Sequence, residues 1–369
     1  MRIALQPVMA GRSGGGPETY ERALVHGLAA LDSDTDYQVM CLSQAAVQVL
    51  SPPQANFHPM VLPGRVRPVQ MSLGLSWELL RRRVDLLHAA YIAPPFCPVP
   101  YVFTLHCSSP FMRPDWFPPA IRRRLLFLIG RGMRSARHIL CVSQSVKDLA
   151  AAHYGVDPDR LSVVHNGVGA HFRPVSAAEA APVLNRLGLT QPYVFCAARF
   201  EKRKNLDGVL RAFAQYRRKG GDPALTLVLA GDMSWEKPQL EALIAELGLQ
   251  GAVRLPGYVP NHDLPAVYSQ ALFFAYPSLW EGFGIPVLEA MACGVPVLSS
   301  STTSIPEVAG EAALLVDPAS DDALAKAFAA LAEDADLRAR LALAGPQRAA
   351  RFSWGRCAAE TLAIYRRFG

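Results

Sequence analysis

Residues 278–297 read SLWEGFGIPVLEAMACGVPV, a strand end followed by a glycine loop, a helix and the start of another strand. Gly282 and Gly284 allow a tight turn and a close approach of the backbone to a ligand. The pattern predicts a helix that begins near Ile285 and ends at Gly294. A helix that opens directly after such a loop points its N–H groups and the positive end of its dipole at whatever lies in front of it, which indicates a phosphate site.

Two carboxylates distinguish this stretch from a general phosphate loop. Glu281 lies in the loop, and Glu289 lies about one turn into the predicted helix. Carboxylates are poor phosphate ligands but accept hydrogen bonds from sugar hydroxyls, so the pair favours a sugar nucleotide as the ligand. The alternative is that Glu281 is a solvated loop residue and that Glu289 stabilises the helix dipole.

The spacing of Glu281 and Glu289 around Gly-Phe-Gly resembles the signature of retaining glycosyltransferases of the GT-B fold, family 4. The resemblance implies an α/β protein of two Rossmann-like domains that face each other across a cleft. We expect an acceptor-side domain over residues 1–172 and a nucleotide-sugar domain over residues 190–353, joined by a linker rich in Ala and Pro. A last helix at about residues 354–369 is expected to pack back onto the first domain.

Composition and length are those of a globular protein with two substantial cores, since 51% of the 369 residues are hydrophobic and 18% are charged. No apolar run is long enough to span a bilayer, and residues 1–7 read as a strand rather than a signal peptide, so we expect a cytoplasmic location. The seven cysteines are scattered and lack a Cys-x-x-Cys pair, which indicates reduced, mostly buried thiols rather than disulfides or a zinc site.

The net charge of +6 is concentrated in the first half of the chain, at residues 81–83 and at residues 122–137. In the second of these segments arginines alternate with Leu, Phe and Ile, as in a helix that lies on an anionic membrane surface. The pattern therefore predicts peripheral contact with the inner face of the cytoplasmic membrane. The alternative is a solvated face whose arginine stems pack on apolar neighbours. Nucleic acid is not an expected partner, because no recognised binding module accompanies the charge.

A second glycine loop, at residues 11–16, separates a short strand from a helix that runs to about Leu31. Its spacing is not G-x-G-x-x-G and no acid follows at the ribose position, so a dinucleotide site is not expected. The family resemblance places Gly15 and Gly16 beside the donor phosphates and the acceptor. The alternative is that this loop is only a flexible connector.

His106 ends a buried strand, and strand ends are where open α/β sheets hold their ligands. The resemblance places His106 near the donor sugar and the reacting hydroxyl, whereas a structural role is the alternative for a lone histidine. Cys107 stands where the family has Asp. We therefore expect His106 to act as a sugar contact or an orienting group.

The resemblance assigns the remaining donor contacts mainly to the second domain. Arg199 and Lys204 fall where the family has two diphosphate-binding cations, and Val259 lies in a loop that contacts the base through its backbone. No metal or other cofactor is expected, because fixed cations and a helix tip can stabilise the leaving diphosphate. The implied catalytic residues are His106, Glu281, Arg199 and Lys204, and the implied donor-binding residues are Gly15, Gly16, Arg199, Lys204, Val259, Glu281, Gly282, Phe283, Gly284, Ile285 and Glu289.

The expected reaction is transfer of a hexose from a nucleoside diphosphate to a hydroxyl, with retention. The segments 104–106 and 114–118 resemble bacterial polysaccharide mannosyltransferases, so mannose from GDP-mannose is the expected donor and a saccharide or lipid-linked saccharide the expected acceptor, in the synthesis of a cell-surface polysaccharide such as lipopolysaccharide. No carboxylate nucleophile is evident, which favours front-face attack with the leaving phosphate accepting the proton. Glucosyl, galactosyl or rhamnosyl transfer from a UDP- or dTDP-sugar is an alternative, and so is a non-catalytic partner that binds a sugar nucleotide or a glycan.

Overall fold

The computed structural model describes residues 1–12, 15–197, 201–231 and 237–368. The chain divides into two compact units. The first unit comprises Met1–Gly167 together with Ser353–Gly369, and the second comprises Val168–Phe352. Within the described ranges, none of the helices is long and apolar enough to cross a bilayer.

The first unit is built on a seven-stranded sheet in which every pairing is parallel. Its strands are β1 (Arg2–Gln6), β2 (Asp36–Cys41), β3 (Phe57–Val61), β4 (Leu86–Ala89), β5 (Tyr101–Leu105), β6 (His138–Cys141) and β7 (Leu161–Val163). Their order in the sheet is β3-β2-β1-β4-β5-β6-β7. The central strands β4, β5 and β6 are buried along their whole length, because helices cover both faces of a parallel sheet.

The helices of the first unit alternate with these strands. They are α1 (Gly16–Leu31), α2 (Gln44–Val49), α3 (Arg67–Val69), α4 (Leu75–Arg81), α5 (Ser109–Met112), α6 (Pro119–Ser135) and α7 (Gln144–Tyr154). A π-helical turn, Gln70–Gly74, joins α3 to α4, so that residues 67–81 form one helical segment. Ser143 begins α7 as its N-cap, because its side chain accepts a hydrogen bond from the Val146 N–H.

The second unit repeats this arrangement with a six-stranded parallel sheet. Its strands are β8 (Tyr193–Ala197), β9 (Thr226–Ala230), β10 (Val253–Gly257), β11 (Phe273–Tyr276), β12 (Val297–Ser300) and β13 (Leu314–Val316). Their order is β10-β9-β8-β11-β12-β13. The helices around this sheet are α8 (Ala177–Leu187), α9 (Leu206–Arg218), α10 (Lys237–Glu246), α11 (Leu264–Ser269), α12 (Ile285–Ala292), α13 (Ile305–Ala309), α14 (Asp321–Glu333) and α15 (Ala335–Ala349).

Residues 170–189, which the sequence indicates as a linker, contain helix α8. The side chains of Ser176 and Glu179 form a capping box at its start, and Gly188 ends it in the left-handed conformation. The alanines of this segment therefore act as helix formers between two good caps.

The last helix, α16 (Trp354–Arg366), belongs to the first unit although it follows the second unit in sequence. Ser353 caps it by accepting a hydrogen bond from the Arg356 N–H. Its buried face joins the core formed by β1, β2 and α1. Tyr365 shares a short hydrogen bond with the ring of His88 on β4, which anchors the helix to the sheet.

Each sheet reverses its strand order once, between β1 and β4 in the first unit and between β8 and β11 in the second. Open α/β sheets bind ligands in the crevice outside the carboxyl ends of the strands at such a reversal. The reversals therefore indicate candidate ligand sites at the carboxyl ends of β1, β4, β8 and β11.

Candidate donor-binding site

The strand reversal of the second unit brings Lys204 and Glu281 into contact. Lys204 follows β8 and Glu281 follows β11, and the Lys204 Nζ atom lies 2.5 Å from Glu281 Oε1. The two loops are also joined through their backbones, since the Leu279 N–H donates to the Arg203 carbonyl at 2.7 Å. Two of the predicted site residues, 77 positions apart in sequence, thus form one ion pair at the ligand edge of the sheet.

Further groups surround the Glu281 carboxylate. The Tyr276 hydroxyl donates to Oε1 at 3.0 Å, and Arg203 Nη1 lies 3.3 Å from the same oxygen. Neither residue belongs to a motif that predicts the site. The only signals are the cluster of cations around Arg203 and the position of Tyr276 at the end of β11.

These contacts set the charge of the pair. Burial raises the pKa of Glu281, but the nearby charges of Lys204 and Arg203 outweigh it and hold that pKa at about 2. Burial lowers the pKa of Lys204, and the neighbouring Arg203 charge acts in the same direction. Glu281 is therefore an ionised hydrogen-bond acceptor and is poorly suited to donate a proton at neutral pH.

The backbone of Glu281 is held as firmly as its carboxylate. Thr303 Oγ1 accepts from the Glu281 N–H at 3.2 Å, and the Ser304 hydroxyl donates to the Glu281 carbonyl at 3.1 Å. Thr303 has a φ of +58°, which is costly for a β-branched residue. The loop after β12 thus fixes the position from which the Glu281 side chain extends.

The glycine loop leads into α12 as the sequence predicts. Gly284 is the N-cap with a φ of +102°, and a Cβ atom there would lie 2.6 Å from Ile305 Cδ1, so the position requires glycine. Helix α12 begins at Ile285, and Gly294 follows its end with a φ of +71°. Phe283 is buried and packs edge-on against Phe352, so its side chain belongs to the core. The predicted donor contacts of Gly282, Phe283, Gly284 and Ile285 therefore fall to their backbone N–H groups at the N-terminus of α12, whereas Glu281 offers its side chain.

Glu289 lies on α12 in a different environment from Glu281. It is buried, and the Tyr268 hydroxyl of α11 donates to Oε2 at 3.1 Å. Burial raises its pKa to about 7, with the Tyr268 hydrogen bond acting against this rise. Glu289 is thus poised between its acid and carboxylate forms near neutral pH.

Val259 and Arg199 are the two remaining donor contacts that the sequence predicts in the second half of the chain. Val259 follows β10, and its side chain is buried, which leaves its backbone for a contact with a base. Arg199 lies outside the described residues, so its predicted role stays a prediction.

In the first unit, Gly15 and Gly16 lie where β1 meets α1. Gly15 is the N-cap of α1 with a φ of +66°, and Gly16 is the first residue of the helix. The preceding turn is held by Glu21, a buried residue of α1 that belongs to none of the predicted motifs. Its carboxylate accepts from the backbone N–H groups of Val8 at 2.6 Å and of Ala10 at 2.8 Å.

His106 directly follows β5, and its Nε2 atom lies 2.7 Å from the Ala90 carbonyl. Burial lowers its pKa to about 4, so the ring is neutral at physiological pH. Because a carbonyl can only accept, Nε2 carries the proton and Nδ1 is the acceptor of the ring. The ring of Tyr20 packs edge-on against it, with centroids 4.6 Å apart.

No group of three or more His, Cys, Asp or Glu side chains that could hold a metal ion occurs among the residues that the structure describes. The Cys107 Sγ atom lies 3.0 Å from the Ser109 hydroxyl.

Comparison with known protein families gives one match to each half of the chain. The model for glycosyltransferase family 4 matches residues 14–171, and the model for glycosyl transferases group 1 matches residues 179–348.

The relatives of this chain carry the names of more than one kind of glycosyltransferase. An O-antigen chain mannosyltransferase B from Escherichia coli is 35% identical over 72% of this chain and 70% of its own length. The O-antigen chain mannosyltransferase RfbU from Salmonella typhimurium is 27% identical over 62% of this chain and 61% of its own. A D-inositol 3-phosphate glycosyltransferase from Salinispora tropica is 38% identical over 58% of this chain and 47% of its own.

Solved structures agree with this chain over its whole length. A sucrose-phosphate synthase from Thermosynechococcus elongatus superposes with a TM-score of 0.80 at 21% identity, and each chain is covered by 98% or more. Anabaena HepE in complex with UDP-glucose gives 0.78 at 21% identity, over 99% of this chain and all of its own. WaaG, a glycosyltransferase involved in lipopolysaccharide biosynthesis, gives 0.75 at 15% identity over 99% of both chains.

Two parallel α/β sheets of seven and six strands and these structural neighbours define the GT-B fold, which confirms the predicted fold class. The chain belongs to glycosyltransferase family 4, the glycosyl transferases group 1.

Proposed function

We propose that this glycosyltransferase moves a hexose, with retention, from a nucleoside diphosphate sugar to a saccharide or lipid-linked saccharide in the synthesis of a cell-surface polysaccharide. Mannose from GDP-mannose is the donor we favour, because the two relatives named O-antigen mannosyltransferases match this chain over 72% and 62% of its length. The observation that carries the proposal is the Lys204–Glu281 pair at the strand reversal, beside the N-terminus of α12.

The geometry supports a division of roles within this site. An ammonium group has three N–H donors, and Lys204 directs one to Glu281 and one to Tyr276, so we assign the third to a phosphate oxygen of the donor. Together with Arg199 and the dipole of α12, it would stabilise the charge that develops on the leaving diphosphate. The ionised Glu281 would accept a hydrogen bond from a sugar hydroxyl, and Glu289 would accept from the ribose.

The chemical step we propose is a front-face substitution at the anomeric carbon. The bond from that carbon to the phosphate oxygen breaks, the bond to the acceptor oxygen forms on the same face, and the acceptor proton passes to the leaving phosphate. Glu281 is fixed as a carboxylate by its neighbours, which suits hydrogen bonding to the sugar better than proton donation. His106 as a sugar contact stays a prediction, and its neutral ring would take part through Nδ1 as an acceptor.

The donor is tested by incubating the purified chain with a panel of GDP-, UDP- and dTDP-sugars, measuring donor hydrolysis and the rise in Tm together. Selective turnover and stabilisation with GDP-mannose are expected. Turnover of a UDP- or dTDP-sugar would keep the glycosyltransferase and overturn the mannose donor. Stabilisation without turnover, even after acceptors are added, would favour a non-catalytic sugar-nucleotide partner.

The role of Glu289 is tested by Glu289→Ala, which should abolish the rise in Tm that the donor causes and raise the donor KM at least tenfold. Glu241→Ala is the matched control, because Glu241 is an exposed acid on α10 of the same unit. An unchanged donor KM in Glu289→Ala would overturn the assignment of Glu289 to the ribose.

We further propose that the reaction needs no metal ion, since Lys204, Arg199 and α12 would supply the positive charge that the diphosphate requires. Turnover in excess EDTA should equal turnover in added Mg²⁺. A loss of activity in EDTA that Mg²⁺ restores would contradict this proposal.

We also propose a cytoplasmic enzyme that contacts an anionic membrane through α6. This helix exposes Ile121 and Phe127 beside Arg123 and Arg124, which suits a surface of apolar chains and anionic headgroups. Vesicles that contain an anionic lipid should bind the wild-type chain and should bind Ile121→Ser/Phe127→Ser less tightly.

A further inference from the structure

A second apolar surface of the first unit has no partner in the structure's described residues. Along the helical segment 67–81 and the residue before it, five large apolar side chains are exposed at intervals of three or four positions. They are Val66 (56% exposed), Val69 (39%), Leu73 (72%), Trp77 (64%) and Leu80 (61%). This spacing places them along one side of the helix, where they form what we call the 66–80 stripe.

The opposite side of the same segment is packed into the first unit. Met71, Leu75 and Leu79 are buried there, and the Gln70 amide donates to the Leu62 carbonyl at 3.0 Å. The segment therefore has an inner apolar side that anchors it and an outer apolar side that the core does not need. Burying apolar area lowers the free energy by about 25 cal/mol per Å², so an outer side of this kind favours contact with another apolar phase.

The charges around the stripe restrict what that phase can be. Five arginines, at positions 65, 67, 81, 82 and 83, accompany a single acid, Glu78, within the segment 65–83. Glu78 is buried and already bonded to Arg81 at 2.7 Å and to Arg82 at 2.9 Å. Arg67 is directed inward, where it donates to the Val8 carbonyl at 2.8 Å. The stripe is thus flanked by exposed arginines at its two ends, Arg65 at one and Arg81 and Arg83 at the other.

This arrangement disfavours a second copy of the chain as the occupant. Since both ends of the stripe are cationic, a parallel or an antiparallel pair of such helices would bring arginines together, and like charges at close range repel. An anionic bilayer satisfies both features, because its headgroups pair with arginines and its interface accepts Trp and Leu side chains.

We propose that the 66–80 stripe, with Arg65, Arg81 and Arg83, is a docking surface for an anionic lipid bilayer. The segment lies in the plane of the interface with Leu73, Trp77 and Leu80 inserted among the acyl chains, over a length of about 22 Å for a helix of this size. The stripe adds a second surface to the membrane contact proposed for α6. It rests on that proposed function only in taking an anionic membrane as the partner. It does not depend on the identity of the donor.

The test measures binding of the full chain to vesicles of phosphatidylcholine alone and of phosphatidylcholine with phosphatidylglycerol, by co-sedimentation at low and high salt. The wild type should bind only the anionic vesicles, and less at high salt. Leu73→Ser/Trp77→Ser/Leu80→Ser should weaken that binding at least tenfold. Leu343→Ser is the control, because Leu343 is equally exposed but lies on α15 of the second unit, and it should bind as the wild type does.

Two further measurements distinguish insertion of the stripe into the bilayer from misfolding of the variants. Brominated lipids should quench part of the tryptophan fluorescence of the wild type, and Trp77→Phe should lose that part. All variants should retain the wild-type Tm and donor hydrolysis, since the stripe residues lie outside the donor site.

Each remaining outcome overturns the proposal in a distinct way. Unchanged vesicle binding by the triple variant, with a loss in Ile121→Ser/Phe127→Ser, would leave α6 as the membrane surface and exclude the stripe. A wild type that binds no vesicles would exclude both surfaces while leaving the donor chemistry untouched. A wild-type dimer that the triple variant converts to a monomer would assign the stripe to a second copy of the chain.

Discussion

The ion pair of Lys204 and Glu281 serves the fold as well as the proposed chemistry. Both side chains are buried, so each charge depends on the other for compensation. Removal of the lysine alone leaves a buried carboxylate with weaker support from Arg203, whereas removal of both charges leaves two neutral groups.

We therefore expect Lys204→Met to lower the free energy of unfolding by about 3 kcal/mol, and Lys204→Met/Glu281→Gln to recover most of this loss. Urea unfolding measures both, and donor turnover should be lost in both. Lys237→Met removes one partner of the exposed Lys237–Glu241 pair and should cost less than about 0.5 kcal/mol. A double variant as unstable as Lys204→Met would show that the buried carboxylate is not the cause.

The buried carboxyl of Glu289 should make the stability of the fold depend on pH. Its pKa is raised from 4.5 to about 7 by burial, so the folded state holds this proton over a range in which the unfolded state has released it. The contribution of Glu289 to the unfolding free energy therefore falls as pH rises from 4.5 to about 7.

Glu289→Gln keeps a neutral acceptor for Tyr268 and should gain stability relative to the wild type across this window, by up to about 3 kcal/mol. Urea unfolding at pH values from about 5 to 8 gives the unfolding free energy of the variant minus that of the wild type. Groups that titrate in both proteins, such as Glu21, cancel in this difference. Glu241→Gln is the control, because Glu241 is exposed, and it should change the unfolding free energy by less than about 0.5 kcal/mol. A flat difference for Glu289→Gln would contradict the raised pKa.

Sequence reasoning at the residue scale works where a motif is local and fails where partners are distant. Glu281, Gly284 and Lys204 follow from short patterns that each lie within one loop. Arg203, Tyr276 and Glu21 act through contacts with residues outside their own short motifs, and the cation cluster around Arg203 and the strand-end position of Tyr276 do not indicate which partners they meet.

At the scale of elements, the contact between α1 and α16 depends on one small residue. A Cβ atom at Gly27 of α1 would lie 2.8 Å from Ala358 Cβ of α16, closer than two methyl groups can approach. The two helices can pack at this distance only because Gly27 has no side chain.

Gly27→Val should therefore destabilise the protein by about 1–3 kcal/mol through overpacking, and Ala358→Gly in the same chain should restore part of the loss. Ala30→Val places the same side chain on the exposed side of α1 and should have little effect. Thermal unfolding compares the three variants, and hydrogen exchange in α16 should rise only in Gly27→Val. Equal stability of Gly27→Val and Ala30→Val would show that this contact relaxes without cost.

Element boundaries are predictable where caps and turns are encoded locally. Helix α12 begins at Ile285 and is followed by the left-handed Gly294, as glycine and proline chemistry dictates. The segment 67–81 is harder to recognise, since Pro63 and Gly64 precede it and Pro68 and Gly74 lie within it. Periodicity can indicate two apolar sides of such a helix but cannot tell which of them the rest of the chain covers.

At the scale of the whole molecule, the same strand order is built twice, and each unit has its own core. In the second unit Phe213, Phe273 and Phe328 pack together between the sheet and helices α9 and α14. The regular alternation of apolar strands and helices makes this doubling readable from the sequence. The packing of the last helix on the first unit is harder to predict from sequence, because α16 carries the same kind of amphipathic pattern as the helices that precede it.

Because α16 packs on the first unit, that unit cannot complete its fold until the second unit has been synthesised. Met1–Gly167 leaves the ribosome well before Ser353–Gly369 is synthesised, because the whole of the second unit is translated between them. Throughout that interval the side of α1 that α16 will cover, which includes Gly27 opposite Ala358, lacks its final partner. We therefore expect a chain that is truncated within the second unit to expose this side of α1 and to aggregate more readily than the full chain.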